Sequence, residues 1–454
     1  MDKVSISSAF AKKRTVWIKT FGCQMNYHDS ERILSHLQEI NFTQTDDPAT
    51  ADLILFNTCA IRDLANSKFY SGLGEIKKIK GGRPDLLVGI AGCISQTDGE
   101  ELLKKYKHLD FAFGTDTIDQ INEMIYRLYQ GEHKIFSNSQ DNRSNYSIET
   151  KITHGSLQAF VNIIKGCNNF CSYCIVPFTR GREKSRKIAE VVADVRNLVL
   201  TKNIQEVTLL GQNVNSFGKE NGENLSQLIL ELEKIEGLRL LRYTTSHPKD
   251  LSDELISVYK VASKLSNHLH LPIQSGSDSV LKRMNRGHDT AHYINLIQKI
   301  RSLRPDIVIS TDIIVGFPNE TEEEYQATID FIEKMQFDFI YSYAFSARQG
   351  TKAAQMADSL SEDLRNRRLV LLQNVQVEIQ RAIRAALVGK HFVMLLEGSN
   401  SKNGIKKWFG RTSCHRLVHV KMEDDNSNYQ WKWVEVEIIS TTPHSCQGKF
   451  IKFC

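Results

Sequence analysis

Three cysteines within the nine-residue segment GCNNFCSYC (166–174) carry the sharpest chemical signal in the sequence. Cys167, Cys171 and Cys174 stand at the spacing C-x3-C-x2-C, directly after a run that reads as a strand. Three thiolates hold three irons of a 4Fe–4S cubane and leave the fourth iron open. An open coordination position is what a catalytic metal requires. The alternatives are a structural zinc site short of its fourth ligand, or three incidental thiols. Position after the first strand of a βα block favours catalysis, because catalytic loops gather there.

Cys23, Cys59 and Cys93 are distant in sequence but share a setting. Each follows a short apolar run, at 16–20, 53–57 and 86–91. Residues just past the carboxyl ends of parallel strands face one edge, where ligands bind. Three thiols on that edge make a second site for a cluster. A thiol at the start of the next helix also has its thiolate favoured by the helix dipole. Taken singly, each reads as a buried structural thiol; the threefold repetition of position is what points to a metal.

The elements that position these thiols alternate strand and helix. Helical spacing covers 29–40, 62–80 and about 99–106, and a further strand and helix run to 129. Such alternation predicts an α/β domain with a parallel sheet. Residues 137–147, rich in Ser, Asn and Asp, read as a linker. Strand candidates at 160–164, 207–210, 240–244, 268–272, 307–314 and 339–343 then alternate with helices, as in a full or partial TIM-like βα barrel. A long helix over 362–387 closes this block. From 389 onward helical periodicity is lost, and short alternating runs such as 434–439 suggest a small β-barrel.

Composition places limits on the reading. The 454 residues suggest two to four domains. A net charge of +5 permits an RNA partner without demanding one. Nine cysteines are an odd number, in a chain too long to need disulfide staples. No apolar run approaches the ~18 residues of a membrane span, and residues 1–15 have no secretory pattern. The expectation is a cytoplasmic protein with no membrane partner.

Several segments recur together: TFGCQMN (20–26), NTCAIR (57–62), TRG (179–181), LGQNVN (210–215), TTSHP (244–248), LPIQSGS (271–277) and VGFP (315–318). With the two cysteine triads they resemble the radical S-adenosylmethionine methylthiotransferases, over roughly residues 14–450. Within these they resemble the MiaB type, which acts on isopentenylated adenosine in tRNA. Two departures stand out: Gln349 and Lys352 replace prolines, and His415 replaces an Asn.

The resemblance implies three domains: 1–140 with an auxiliary 4Fe–4S cluster on Cys23, Cys59 and Cys93; a radical core, 150–385, with the second 4Fe–4S cluster on Cys167, Cys171 and Cys174; and a TRAM RNA-binding barrel, 386–454. It implies that one S-adenosylmethionine gives a methyl group to cluster-associated sulfur. A second is cleaved to a radical that takes hydrogen from carbon 2 of the adenosine at tRNA position 37. An unactivated aromatic C–H offers no acidic proton for His or Glu, so a radical route makes chemical sense. No catalytic side chain beyond the cluster ligands is expected. Gln212, Asn213, Gln274, Ser275 and Asp312, at predicted strand ends, are candidates to contact S-adenosylmethionine. RNA candidates are Arg180, Arg182, Trp408, Arg411 and Arg416, with Lys184, Arg186, Lys187, Lys406, Lys407, Trp431 and Trp433 beside them. For the tryptophans the alternative is the small barrel's core. Expected partners are tRNA, a flavodoxin- or ferredoxin-like electron donor and sulfur-supply proteins, with the chain a monomer. Rival functions are methylthiolation of threonylcarbamoyl-adenosine or of a ribosomal-protein aspartate, and a cluster-bearing RNA-binding redox sensor. Cys414, Cys446 and Cys454 share no setting and read as ordinary thiols.

Overall fold

The computed structural model describes residues 10, 12–60, 63–138, 150, 155–402, 405–424 and 427–454. Arg62 and most of the expected linker lie outside them.

The first domain is a six-stranded parallel sheet: β1 (Arg14–Thr20), β2 (Phe42–Gln44), β3 (Leu53–Thr58), β4 (Leu87–Gly92), β5 (Phe111–Phe113) and β6 (Ile135–Ser137), in the order β2-β1-β3-β4-β5-β6. Every residue of β3 is buried, as expected for a strand covered on both faces. Leu53 and Leu55 pack into one core with Ile33, Leu37 and Phe111. Ile54 and Phe56 pack into the other with Phe69, Leu73 and Val88. This period-two split of one apolar run holds helices on both faces. The first helix, Gln24–Gln38, begins five residues before the reading from periodicity. Its first turn is polar but buried at Asn26 and His28, which hides the apolar pattern.

The second domain holds β7 (Gln158–Asn162), a short pair β8 (Ile164–Lys165) and β9 (Lys184–Ser185), then β10 (Glu206–Leu210), β11 (Leu240–Tyr243), β12 (His268–His270), β13 (Val308–Val315) and β14 (Phe339–Ala344). β7, β10 and β11 form one parallel set and β12, β13 and β14 another. A parallel bridge between Leu241 and Leu265 joins them into a six-stranded partial barrel. The helix Glu362–Ala385 follows β14 and ties down its entry: Gln376 and Gln380 donate to the carbonyls of Phe337 and Asp338.

The third domain is a closed barrel of β15 (His391–Lys402), β16 (Ile405–Thr412), β17 (Leu417–Lys421), β18 (Trp433–Thr441) and β19 (Cys446–Phe453). It docks beneath the partial barrel, at the amino ends of the strands. Arg416 makes a bidentate pair with Asp338, just before β14, at 2.9 and 3.0 Å. Arg242 on β11 donates to the carbonyls of Thr412 and Ser413, both at 2.9 Å, while pairing with Glu206. Trp433 donates to Gln205, just before β10, at 2.8 Å. His415 holds a left-handed φ of +65°, a conformation that Asn adopts readily. Its ring stacks on His268 at 5.4 Å, so this departure lies in the domain seam.

Removing one partner of a buried charge pair strands the other. Asp338→Ala should therefore lower stability by about 3–5 kcal/mol, read as a drop in melting temperature and freer proteolysis between residues 385 and 391. Adding Arg416→Met should recover part of the loss. An unchanged melt would mean that the pair does not hold the seam.

Candidate metal centres

The central triad lies between β8 and the short helix Val176–Thr179. Gly166 sits at φ +75°, and a Cβ there would strike the carbonyl of Arg182, so only glycine lets the loop turn this tightly. The loop is fastened from several sides. The Cys167 N–H donates to Gly181 at 3.2 Å, Ser172 N–H to Met284 at 2.9 Å, and Ala353 N–H to Ser172 at 2.8 Å. The last contact comes from the loop that carries Gln349 and Lys352. Arg286, buried, donates to the Cys171 sulfur at 3.3 Å and to the Pro272 carbonyl at 2.6 Å. Burial pushes the Cys167 thiol up to about 11. Burial, reinforced by neighbouring Cys171, pushes Cys174 up to about 12.

The N-terminal triad sits at the carboxyl ends of three adjacent strands, β1, β3 and β4. Cys23 precedes the helix Gln24–Gln38, and Cys93 opens the helix Cys93–Lys105. Cys59 follows β3 directly. Gly22, at φ +113°, lies against Cys59; a Cβ there would come within 2.8 Å of the Cys59 sulfur. The Asn26 amide donates to Thr58 at 2.8 Å, and Asn57 donates back to Asn26 at 2.7 Å. The helix dipole does not prevail at Cys23, because burial raises its thiol. A bound metal deprotonates its thiols outright and inverts that preference.

Arg180 is the connection that sequence reasoning assigned to RNA. It is 7% exposed and forms a 2.8 Å ion pair with Asp29 of the first domain. Burial works against its charge, but Asp29, then Cys93 and Cys23, hold it above its ordinary value. Burial likewise opposes the Asp29 carboxylate, yet Arg180 keeps it down at about 2.

Other expected RNA contacts move as well. Arg416, 8% exposed, is spent on Asp338. Trp408, 4% exposed, belongs to the core of the small barrel. Arg186 is buried against Asp194 at 2.9 Å, and Trp433 is in the seam. None of these offers a face to a base or phosphate. Arg182 lies over Phe170 at 4.2 Å. Arg411, partly exposed, pairs with Glu397, and exposed Lys407 touches Gln447 at 2.9 Å. Cys414 and Cys446 are buried; Cys454 is exposed.

The five cofactor candidates divide. Gln212 accepts from the Gly166 N–H, Asn213 donates to Asp250 at 2.8 Å, and Ser275, fully buried, bonds Thr328. These three brace the loops. Gln274 holds φ +81° and pairs with Ile313 beside β13; Asp312 keeps a partly exposed carboxylate 3.5 Å from His270. Sequence reasoning missed Arg286 and Asp250, which no spacing rule marks.

Among the described residues, no three Cys, His, Asp or Glu side chains are grouped to hold a single metal ion. What each triad has instead is strand-end placement and a buried guanidinium. Arg180 Nη2 and Arg286 Nε find no protein acceptor, and a sulfide-rich anion suits both the thiols and these donors.

Residues 15–114 match Uncharacterized protein family UPF0004, and residues 161–332 match the Radical SAM superfamily. The tRNA-2-methylthio-N(6)-dimethylallyladenosine synthase of Caldicellulosiruptor saccharolyticus is 39% identical over 444 residues, covering 97% of this chain and 93% of that protein. The protein of the same name from Syntrophus aciditrophicus is 43% identical over 421 residues, covering 92% and 91%. The solved radical S-adenosylmethionine methyltransferase TsrM of Kitasatospora setae shares the fold at TM-score 0.56 and 12% identity, covering 76% of this chain and 74% of that one.

Gly22→Ala should displace Cys59. Iron analysis after anaerobic reconstitution should find roughly four irons fewer per chain than wild type, with the central site still loaded. Full iron in this variant would remove the packing argument for the N-terminal site.

Proposed function

This chain belongs to the radical S-adenosylmethionine family of tRNA-2-methylthio-N(6)-dimethylallyladenosine synthases, and on that premise we propose which of its residues hold the cofactors and meet the RNA. The reaction is methylthiolation of N6-dimethylallyladenosine in tRNA; we place it at carbon 2 of position 37. The family name shared by the relatives does not favour the threonylcarbamoyl-adenosine, ribosomal-protein or sensor alternatives.

Cys167, Cys171 and Cys174 are assigned to the 4Fe–4S cluster that meets S-adenosylmethionine. Cys23, Cys59 and Cys93 are assigned to a second. The carrying observation is the placement of the latter three at the ends of adjacent parallel strands. When bound, the central cluster and S-adenosylmethionine supply one-electron chemistry able to take hydrogen from an aromatic C–H, and the second cluster supplies a place for the transferred sulfur. Arg286 holds Cys171 in position from one side, and the Gly166 turn, braced by Gln212, fixes Cys167 from the other. Gln274 and Asp312, at the carboxyl edge of the barrel, are assigned to face S-adenosylmethionine. Asn213 and Ser275 act behind them by fixing the loops. Electrons come from a flavodoxin- or ferredoxin-like donor.

Reconstituted enzyme should carry about eight irons, four for each cubane. Cys59→Ala should still release 5′-deoxyadenosine but give no methylthio product, whereas Cys171→Ala should do neither. Nucleoside mass spectrometry of tRNA, before and after complementation of a deletion strain, reads the product. Normal product from Cys59→Ala would defeat the two-cluster assignment.

For RNA, Lys407 and Arg411 on the small barrel and Arg182 beside the central loop remain as surface contacts. Deleting the third domain is an unsuitable test, because it strands Asp338 and Arg242. Lys407→Ala should weaken tRNA binding and make its log–log salt dependence shallower by roughly one, with iron content unchanged. Identical affinity and slope would exclude Lys407 from the RNA surface.

A further inference from the structure

The segment flanking the central cysteines on both sides reaches out of its own domain. Lys165 pairs with Asp116 of the first domain at 2.8 Å. Thr115 donates to the carbonyl of Thr179 at 3.1 Å. Arg180, the next residue, enters the first domain and pairs with Asp29, six residues past Cys23. Its guanidinium thus belongs by sequence to one cysteine triad and by contact to the domain of the other. Asp29 is the compensating charge, and buried His28 lies 3.9 Å from it. Arg180 Nη2 still finds no protein acceptor although it is buried.

We propose that Arg180 is a positioning residue for the N-terminal cluster, which the radical domain supplies to raise that cluster's reduction potential and fix its orientation toward the central site. The proposal rests on the assignment of Cys23, Cys59 and Cys93 to a cluster. A cation and hydrogen bonds at the sulfurs favour the more negative, reduced form of a cluster. Asp29 opposes this, so the two side chains set the potential by difference. Burial keeps solvent from screening either charge.

The test uses full-length protein carrying Cys167→Ala, Cys171→Ala and Cys174→Ala, which isolates the N-terminal cluster. Its midpoint potential is read by redox titration followed by electron paramagnetic resonance. Arg180→Met should shift the potential down and Asp29→Asn should shift it up. Each should change the reduced-to-oxidised ratio at fixed potential about tenfold, which is ~59 mV for one electron. Arg180→Lys should restore most of the Arg180→Met shift. Should Arg180→Met fail to load iron, Arg180→Gln, polar but uncharged, should give the same downward shift. Equal potentials in the parent and the Arg180→Met or Arg180→Gln variant, or shifts of the same sign for the Arg180 and Asp29 variants, overturn the proposal. Absence of any cluster signal in the parent triple variant would instead refute the cluster assignment beneath it.

Discussion

Parallel strands deliver all their carboxyl ends to one edge, and both proposed metal centres depend on that constraint. In the first sheet β1, β3 and β4 are immediate neighbours, so cysteines separated by more than thirty residues in sequence meet within one loop cluster. In the second domain the same constraint puts the central triad, Gln274 and Asp312 above one rim. A thiol or carboxylate placed there emerges where backbone amides are still unpaired and helices begin, which is where an anionic group is best received. Glycine makes the convergence possible. Gly22 and Gly166 both turn at positive φ where a side chain would collide with the opposing loop.

Burial of charge then links the centres to one another. Arg180 and Arg286 are both deeply buried; Arg286 donates to Cys171 of one triad, and the field of Cys93 and Cys23 of the other acts on Arg180. A guanidinium in such a place needs an anion, because an unpaired buried charge is strongly destabilising. Arg180 has Asp29. No carboxylate among the described residues pairs with Arg286, which donates to Pro272, Tyr173 and Cys171. On the assignment proposed above, a cluster on Cys167, Cys171 and Cys174 would bring anionic sulfur to this guanidinium. Burial raises the thiols of Cys167 and Cys174, so uptake of the proposed cluster would release their protons.

The cysteines were legible in the sequence because their meaning lies in spacing and in position after apolar runs, both of which the chain displays. β2 and β6, three residues each, were not, since so short a strand leaves no alternation to detect. The charged residues were misread for a different reason. A basic side chain next to an active-site loop shows its charge in the sequence but not its direction. Arg180, Arg186 and Arg416 all turn inward to carboxylates more than seven residues away, and only the tertiary fold brings those carboxylates near. The tryptophans follow the same logic. In a five-stranded barrel so small, Trp408 fills the interior that an aliphatic core alone would leave open.

The third domain docks at the end of the partial barrel opposite both cysteine triads. Gln205, Asp338 and Ser266 precede their strands, and all three contact the small barrel, whereas both triads follow theirs. β13 alone, at eight residues, spans about 26 Å at ~3.3 Å per residue. On the RNA contacts proposed at Lys407 and Arg411, an RNA held there would extend along the outside of the partial barrel before a base reached the rim. The rigidity of the seam matters for this reason. Arg416 with Asp338, Arg242 with Thr412 and Ser413, and Trp433 with Gln205 fix the small barrel to three different strands, and three attachments suppress rotation where one would allow it. A swivelling domain would bind RNA equally well yet present the base at a varying height, and radical chemistry tolerates little misplacement of the reacting carbon.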